Sequence, residues 1–359
     1  MRMRNILAIA GVALCVFAGA MSFTNGTKKA PVPEHETAAP IAATEIPTAA
    51  PPRSVTITAV GDCTLGTDIN FNKATSLNTY ADKYGTEYFL AKVKSIFAED
   101  DLTIVNFEGT LSERGTRVNN RFAFRGDPSF VNILTSASVE AANLANNHSL
   151  DYGTDALADT RMYLENAGIL TCRGKDNVTV TEINGIKVGL VGINYLNDIM
   201  RTELEDAITA AKTNGAELVI LSIHWGEEKR TEPTAEQKEV ARRAIDCGAD
   251  VVLGAHPHVL EGIEKYKGRY ILYSMGNFCF GGNSSPSDMD TMIWRQTFTL
   301  NGDTLAYDDN FEIIPARISG TKGVNNYQPV VASGADEERI KNRLNTYTAA
   351  LGGITLKFR

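Results

Sequence analysis

The sequence has no excess of positive charge. It contains 35 Lys and Arg against 43 Asp and Glu, which gives a net charge of −8 at pH 7. A surface that binds nucleic acid needs many basic contacts to the phosphates, so we expect no nucleic-acid partner. The chain also has no P-loop, no GxGxxG fingerprint and no GxSxG nucleophile elbow. The function classes that carry those motifs are therefore not indicated.

Long apolar runs are absent after the first residues, which excludes a multi-pass transporter. With 43% hydrophobic and 22% charged residues, the composition is that of a globular protein. Cysteine is sparse and never spaced as CxxC. Beyond Cys15 the chain has only four cysteines: Cys63, Cys172, Cys247 and Cys279. They could form two disulfides in one of three pairings, but a core this large needs no bridges, and we expect buried free thiols.

The N-terminus resembles an export signal. Arg2 and Arg4 precede the apolar run from Ile6 to Met21, so residues 1–23 form either a signal peptide, cut after Ala20, or a signal-anchor. In both cases we expect the rest of the chain to lie outside the cytoplasm, secreted or anchored to the cell membrane. Residues 24–54 are rich in Pro, Ala and Thr, and we interpret them as a disordered tether.

From residue 55 onward, short β-branched runs alternate with amphipathic stretches. The pattern predicts strands and helices that are listed here: strands Val55–Val60, Leu102–Asn106, Val139–Leu144, Ile186–Ile193, Leu218–His224, Val251–Gly254 and Tyr270–Met275, and helices Glu87–Glu99, Phe130–Ser136, Asp155–Ala167, Thr202–Lys212 and Ala235–Cys247. This alternation predicts an α/β fold. The later strands Met292–Leu300 and Phe311–Ile318 suggest a second sheet packed on the first. We divide the folded part into a domain at residues 55–320 and a C-terminal extension at 321–359, whose helix, Glu337–Leu351, packs on the domain.

The histidines carry most of the functional information. Outside the tether there are four, His148, His224, His256 and His258, and each follows a predicted strand in a polar loop. Ends of strands in an α/β sheet meet at one edge, where sites form. His256-x-His258 is the most specific pair, because a strand-like spacing would put both imidazoles on one side.

Carboxylates and amides occur at the ends of other predicted strands. The segments are Gly61-Asp62, Asn106–Glu108, Asn146–His148, His224–Gly226, Gly254–His258 and Gly276–Phe278. A mixed set of oxygen and nitrogen donors suits Mn, Zn, Fe or similar divalent ions better than Ca or Mg alone. The sequence therefore predicts a metal site. Taken singly, Asp62 could merely cap a turn and His224 could be held by a backbone carbonyl.

In this order, the motifs resemble those of the CapA group of capsule or poly-γ-glutamate biosynthesis proteins, relatives of the calcineurin-type metallophosphoesterases. The resemblance covers roughly residues 55 to 320. It implies a four-layer α/β/β/α sandwich with two divalent metals at the strand ends. By motif, Asp62 would bind the first metal with His258, Glu108 would bridge both, and the second would be held by Asn147, His224 and His256. His148 would act near the leaving group as an acid or electrostatic stabiliser.

Two positions differ from the wider phosphoesterase pattern. Thr64 stands where that pattern has a His, and Glu108 stands where it usually has Asp. Thr64 could hold a metal-bound water. Further candidates for contact with the substrate or for support of the ligands are Asn106, Asp151, Arg125 and Asn277. Arg121 and the charged stretch 227–230 could line a substrate groove or simply face solvent.

Three functions stay open. The first is a CapA-like role in synthesis or export of an anionic capsule polymer of the poly-γ-glutamate type, beside membrane-bound polymer synthase or export proteins. The second is a secreted metal-dependent phosphoesterase acting on a small phosphorylated substrate. The third is a non-catalytic binding or scaffold module with a degenerate metal site.

Overall fold

The computed structural model describes residues 51–359. The predicted signal segment and residues 24–50 of the predicted tether lie outside the described residues. The first strand begins at Arg53, inside the last residues assigned to that tether. Among residues 51–359, no helix combines the length and apolar character needed to cross a membrane.

The order of elements follows the predicted alternation, with additional short strands. The helices are α1 (Leu77–Tyr84), α2 (Lys94–Phe97), α3 (Val131–Thr135), α4 (Thr154–Asn166), α5 (Leu204–Thr213), α6 (Ala235–Asp246) and α7 (Ala335–Ala349). The strands are β1 (Arg53–Thr64), β2 (Leu102–Glu108), β3 (Thr110–Leu111), β4 (Arg125–Gly126), β5 (Ala141–Asn143), β6 (Leu170–Cys172), β7 (Thr179–Ile183), β8 (Ile186–Asn194), β9 (Leu218–His224), β10 (Val251–Ala255), β11 (Ile263–Tyr266), β12 (Arg269–Leu272), β13 (Asn277–Phe280), β14 (Asp290–Asn301), β15 (Thr304–Leu305), β16 (Phe311–Arg317) and β17 (Val330–Val331).

Two large sheets form the centre of the molecule. The first runs in the order β17-β16-β14-β1-β2-β5-β6, with β13 paired to β1 and β15 to β14. Strands β1, β2, β5 and β6 are parallel to one another, whereas β14 and β16 are antiparallel. The second sheet runs β11-β12-β10-β9-β8-β7, and its central strands β8, β9, β10 and β12 are parallel. Central parallel strands are covered on both faces, which explains why β9 reads as the continuous buried run LVILSIH.

Three apolar cores separate four layers. One core joins the inner faces of the two sheets, with Ile57, Ile104, Leu190, Ile220 and Leu253 among its members. A second packs the outer face of the first sheet against α1–α4, and a third packs the outer face of the second sheet against α5 and α6. The predicted α/β/β/α sandwich is therefore confirmed.

Some details of the prediction are wrong. The late strands β14 and β16 do not build a second sheet; they extend the first one, because β14 pairs along nearly the whole length of β1. The second sheet comes from β7–β12 in the middle of the chain. The helix predicted at Glu87–Glu99 is a series of turns with a 3₁₀ segment at Thr86–Tyr88 and only α2 α-helical, since burial of its apolar residues does not require a continuous helix.

The C-terminal helix is two residues earlier than predicted. It places Ile340 and Leu344, both fully buried, in the core that lies between the sheets. The four cysteines of the described part are free thiols, and only Cys247 is not fully buried, in line with the free-thiol interpretation.

One buried carboxyl ties α6 to the loop behind β10. Helix α6 starts with a capping box, in which Thr234 accepts from the backbone N–H of Gln237 and Gln237 accepts from that of Thr234. The side-chain amide nitrogen of Gln237 donates to Glu261 Oε2 at 3.0 Å. Glu261 is fully buried and its Oε1 has no hydrogen-bond partner within the described residues. Burial raises the pKa of Glu261 to about 7, because the charged form is desolvated.

This carboxyl predicts a pH-dependent stability. The folded-state pKa lies above the unfolded value, so the contribution of Glu261 is fully present below the unfolded pKa and is lost as pH rises through about 7. In wild type, titration of Glu261 should lower the free energy of unfolding by about 2–3 kcal/mol between about pH 5 and about pH 8. The variant Glu261→Gln lacks the carboxyl and should not show this decrease. Urea unfolding of both proteins at the two pH values measures this difference. Parallel pH dependences for wild type and variant would contradict it.

Candidate metal centre

The site lies where the carboxyl ends of parallel strands from both sheets meet. Strands β1 and β2 pair so that Asp62 stands opposite Asn106 and Thr64 opposite Glu108. The bulge that lets β1 turn here requires Gly61, since a Cβ at this position would lie 1.8 Å from the carbonyl oxygen of Gly276. The same approach allows Asp62 N to donate to Gly276 O at 3.0 Å. The Gly-Asp pair of the sequence is thus a backbone requirement as well as a source of one carboxylate.

The first group of candidate ligands consists of Asp62, Glu108 and His258. One donor atom from each lies within 4.8 Å of the others, so these residues can hold a metal ion. The two carboxylates are buried. His258 Nδ1 lies 3.0 Å from Asp62 Oδ2, and the Thr64 hydroxyl donates to Glu108 Oε2 at 3.1 Å. Thr64 therefore supports a carboxylate.

The second group lies on the other side of Glu108. His224 Nε2 is 3.5 Å from Glu108 Oε1 and 2.6 Å from Asn147 Oδ1. The ring of His256 lies 4.7 Å from that of His224, centroid to centroid. Asn147 is exposed, whereas both histidines are buried. The structure thus brings together all six residues predicted as metal ligands, with Glu108 between the two groups.

The pair His256-x-His258 reaches the site in a different way from the one predicted. Strand β10 ends at Ala255, and both histidines have left-handed backbone, with φ of 97° and 59°. Their rings lie 5.8 Å apart. The prediction that His256 and His258 continue the strand geometry is therefore wrong. Two unusual backbone conformations flanking Pro257 turn the imidazoles toward the carboxylates, and such strain is typical of functional sites.

The electrostatics of the centre are those of charges removed from water. Burial, reinforced by the charge of Asp62, raises the pKa of Glu108 to about 7. Burial acts to lower the pKa of His258, but the charges of Glu108 and Asp62 outweigh it and raise that pKa to about 10. Burial and the neighbouring imidazoles lower the pKa of His256 to about 4 and that of His224 well below its usual value. These two rings are neutral near pH 7, the form that binds metals.

The donor atoms of the site fit a bound cation. The Nδ1 atom of His256 is buried and has no hydrogen-bond partner among the described residues, although a buried polar atom normally has one. Two desolvated carboxylates also face each other across the centre, which is costly without positive charge between them. Carboxylate, amide and imidazole donors together suit Mn, Zn or Fe.

Amides hold the carboxylates in place. The Asn106 amide donates to Asp62 Oδ1 at 2.8 Å and accepts from Asn143 Nδ2 at 3.0 Å. On the other side, Asn277 Oδ1 is 2.9 Å from His258 Nδ1. Asn106 and Asn277 were candidates from the sequence, but Asn143 was not. The sequence does contain an indication of its role, because an amide inside the apolar run Ala-Ala-Asn-Leu-Ala needs a hydrogen-bond partner.

His148 stands beside the ligands and has its own carboxylate. Its Nδ1 lies 2.9 Å from Asp151 Oδ2, and its ring packs 4.5 Å from that of Phe124. Burial acts to lower the pKa of His148, but the hydrogen bond to Asp151 and the charge of Glu108 outweigh it, and the pKa is raised. A positioned imidazole of this kind can hold a proton for transfer.

Arg125 does not reach the centre. Its guanidinium donates to the carbonyl oxygens of Arg114 and Gly115 and lies 3.5 Å over the ring of Tyr152. Backbone acceptors and an aromatic face occupy the guanidinium of Arg125 in this structure, and the prediction that it contacts substrate stays a prediction. Arg121 instead lines a cavity of about 220 Å³ that opens onto His148 and His258.

Two named relatives are similar in sequence to more than half of this chain. It is 28% identical over 222 residues to PGA biosynthesis protein CapA of Bacillus subtilis, which covers 55% of this chain and 58% of that protein. It is 27% identical over 254 residues to capsule biosynthesis protein CapA of Bacillus anthracis, covering 63% and 60%. The matched region thus spans less than two thirds of the length of each relative.

Similar solved structures are more distant. A hypothetical protein from Thermus thermophilus superposes with a TM-score of 0.45 at 15% identity, over 72% of this chain and 99% of that one. Vps29 from Chaetomium thermophilum gives 0.28 at 14% identity, over 63% and 89%. Likenesses at this level say nothing about function.

The family itself is shown by the sequence. The model of the bacterial capsule synthesis protein family PGA_cap matches residues 56–282, a range that contains all six candidate metal ligands described above. The resemblance to the CapA group is thereby confirmed, and the chain belongs to the PGA_cap family of bacterial capsule synthesis proteins.

Proposed function

We propose that this protein acts outside the cytoplasm in synthesis or export of an anionic capsule polymer of the poly-γ-glutamate type. The observation that carries the proposal is the family match over residues 56–282, because all six ligands fall within it. The capsule roles named for the Bacillus relatives support it. The basic and apolar N-terminal residues support export or anchoring.

The polymer must be made together with other proteins. Linking glutamates through amide bonds requires activation of a carboxyl group, and the chain has no nucleotide-binding motif of the kinds named above. A membrane-bound, ATP-dependent polymer synthase or an export protein is therefore the partner that this role needs. The protein itself would act on the polymer or its precursor.

We place two divalent cations, Mn, Zn or Fe, in the centre. Asp62 and His258 would hold one, Asn147, His224 and His256 the other, and Glu108 both. Bound cations of this kind polarise an oxygen of the substrate and lower the pKa of bound water. The chain contributes the rest: Asn106 and Thr64 orient the carboxylates, Phe124 packs against the ring of His148, and His148 holds a proton toward the cavity.

The proposed role can be tested in the native cell. Replacing Glu108 by Gln leaves the shape of the side chain nearly unchanged and removes its charge. We expect cells carrying Glu108→Gln to lose most of their extracellular polymer while protein abundance is retained. Polymer is measured by its glutamate content after hydrolysis, and abundance by immunoblot. Wild-type polymer levels in this strain would refute the proposal.

The metal centre predicts different effects for two neighbouring residues. Glu108→Gln removes a shared ligand and should weaken Mn²⁺ or Zn²⁺ binding at least about tenfold. His148→Gln, the matched control, should leave metal binding unchanged, since His148 bonds Asp151 and not the ligands. Calorimetric titration of apo protein and elemental analysis measure both. Equal loss in the two variants would show that our assignment of His148 is wrong.

A second candidate function is metal-dependent hydrolysis of a phosphate ester. The His148–Asp151 pair beside the cavity favours it, because a leaving group needs a proton donor there.

If the protein is a phosphoesterase, metal-loaded wild type should hydrolyse bis-p-nitrophenyl phosphate, and His148→Gln should lower kcat about 100-fold at unchanged metal content. Release of p-nitrophenolate gives the rate. A metal-loaded wild type without turnover would leave this second function unsupported and favour the scaffold alternative, in which the centre binds without catalysis.

A further inference from the structure

A groove leads from the metal centre to the C-terminal helix. The cavity that opens onto His148 and His258 shares Lys229, Val259 and the segment 286–288 with a second cavity of about 870 Å³. The second cavity continues to Arg317 at the end of β16 and to the side chains of α7. Shared walls make the two cavities one continuous depression. A depression that continues beyond the metal centre can accommodate an extended chain.

Two basic side chains near the metal centre are free to contact a ligand. Arg121 and Lys229 are exposed, and within residues 51–359 neither makes an ion pair. Lys229 is held in position by its backbone, which has a left-handed φ of 65° and donates its N–H to Pro257 O at 2.7 Å. This bond joins the loop after β9 to the loop that carries His258. Lys229 therefore keeps a fixed place at the junction of the two cavities.

The far part of the groove carries three arginines whose partners are carboxylates of the groove and of α7. Arg343 pairs with Asp288 and Asp290 at 2.6 Å each, and Arg339 pairs with Asp290 at 2.6 Å. Arg317 pairs with Asp336 at 3.0 Å, and its Nε is buried without an acceptor among the described residues. The arginines neutralise carboxylates that would otherwise repel an anionic chain.

The charge of this surface differs from that of the whole chain. The groove is lined by five Lys and Arg side chains and three Asp and Glu side chains, and Asp336, the partner of Arg317, raises the acidic count to four, whereas the protein carries −8. At physiological salt, charges more than about 8 Å apart are largely screened, so a ligand responds to the local set. An anionic chain can thus lie in this groove although the protein as a whole is acidic.

We propose that the groove is an extended binding site for a polycarboxylate chain, which enters past Arg317, crosses Lys229 and presents one of its bonds or its end to the metal centre. This inference rests on the polymer role proposed above and adds the place and direction of binding. A chain with a carboxylate on every residue could meet Arg121 in the first cavity, Lys229 where the cavities join and Arg317 in the second. Neutral donors such as Ser287 and Tyr347 line the stretch between them.

Binding of poly-γ-glutamate to the full-length protein tests the groove. Affinity is measured by fluorescence anisotropy for a long labelled chain and for a γ-linked dimer, with Mn²⁺ and with chelator. Lys229→Glu should weaken binding of the long chain about fivefold and reduce its salt dependence. Arg317→Gln should weaken the long chain but not the dimer. The matched control is Lys187→Glu, the same charge reversal at the amino end of β8, whereas the site lies at the carboxyl ends of the strands.

The outcomes separate the two proposals. If wild type binds no polymer under either condition, the polymer role itself fails. Wild type could bind the polymer while Lys229→Glu binds it with the same affinity, or while Lys187→Glu weakens binding as much as Lys229→Glu does. Either result would refute the proposed groove and leave the polymer role intact. Tighter binding of polyphosphate than of poly-γ-glutamate would overturn the assignment to a carboxylate chain. Circular dichroism of each variant confirms that it is folded.

Discussion

The burial of two carboxylates side by side is the constraint on which the rest of the site depends. Parallel pairing of β1 and β2 places Asp62 and Glu108 near each other at the ends of adjacent strands, away from water. Buried like charges are costly unless positive charge or hydrogen-bond donors compensate them. The Asn106 amide, the Thr64 hydroxyl and the His258 ring provide part of this compensation. A bound cation would provide the remainder, and metal binding would therefore stabilise the fold.

The same constraint explains the unusual backbone after β10. Residues other than glycine rarely adopt positive φ, and each such residue costs about 1–3 kcal/mol. His256 and His258 both do so, and Pro257 between them restricts the alternatives. The core between the two sheets holds the ends of β9 and β10 together, so packing can sustain this local strain. The result is a set of neutral and charged imidazoles aimed at the carboxylates.

Sequence reasoning predicted the parts of this protein that depend on local pattern. The bounds of β9 agree with the predicted strand, and the four histidines do converge at strand ends, because buried parallel strands read as apolar runs followed by polar loops. It failed where distant segments decide the outcome. Pairing of β14 with β1, which lie far apart in the chain, has no local signal. Asn143 could have been found from its buried surroundings.

The acidic centre would repel an anionic polymer, and the charge balance of the groove resolves this conflict. Without a metal ion, His258 compensates the charges of Asp62 and Glu108 only in part, and the remainder would repel a carboxylate that approached through the cavity. In the proposed state, one divalent ion would cancel both charges and a second would leave the centre positive, with His224 and His256 neutral. Farther out, Arg339 and Arg343 neutralise Asp288 and Asp290 in the same way. In the proposed loaded state, each of these acidic groups along the path is matched by a cation, so metal binding would control whether the end of a polycarboxylate can reach His148.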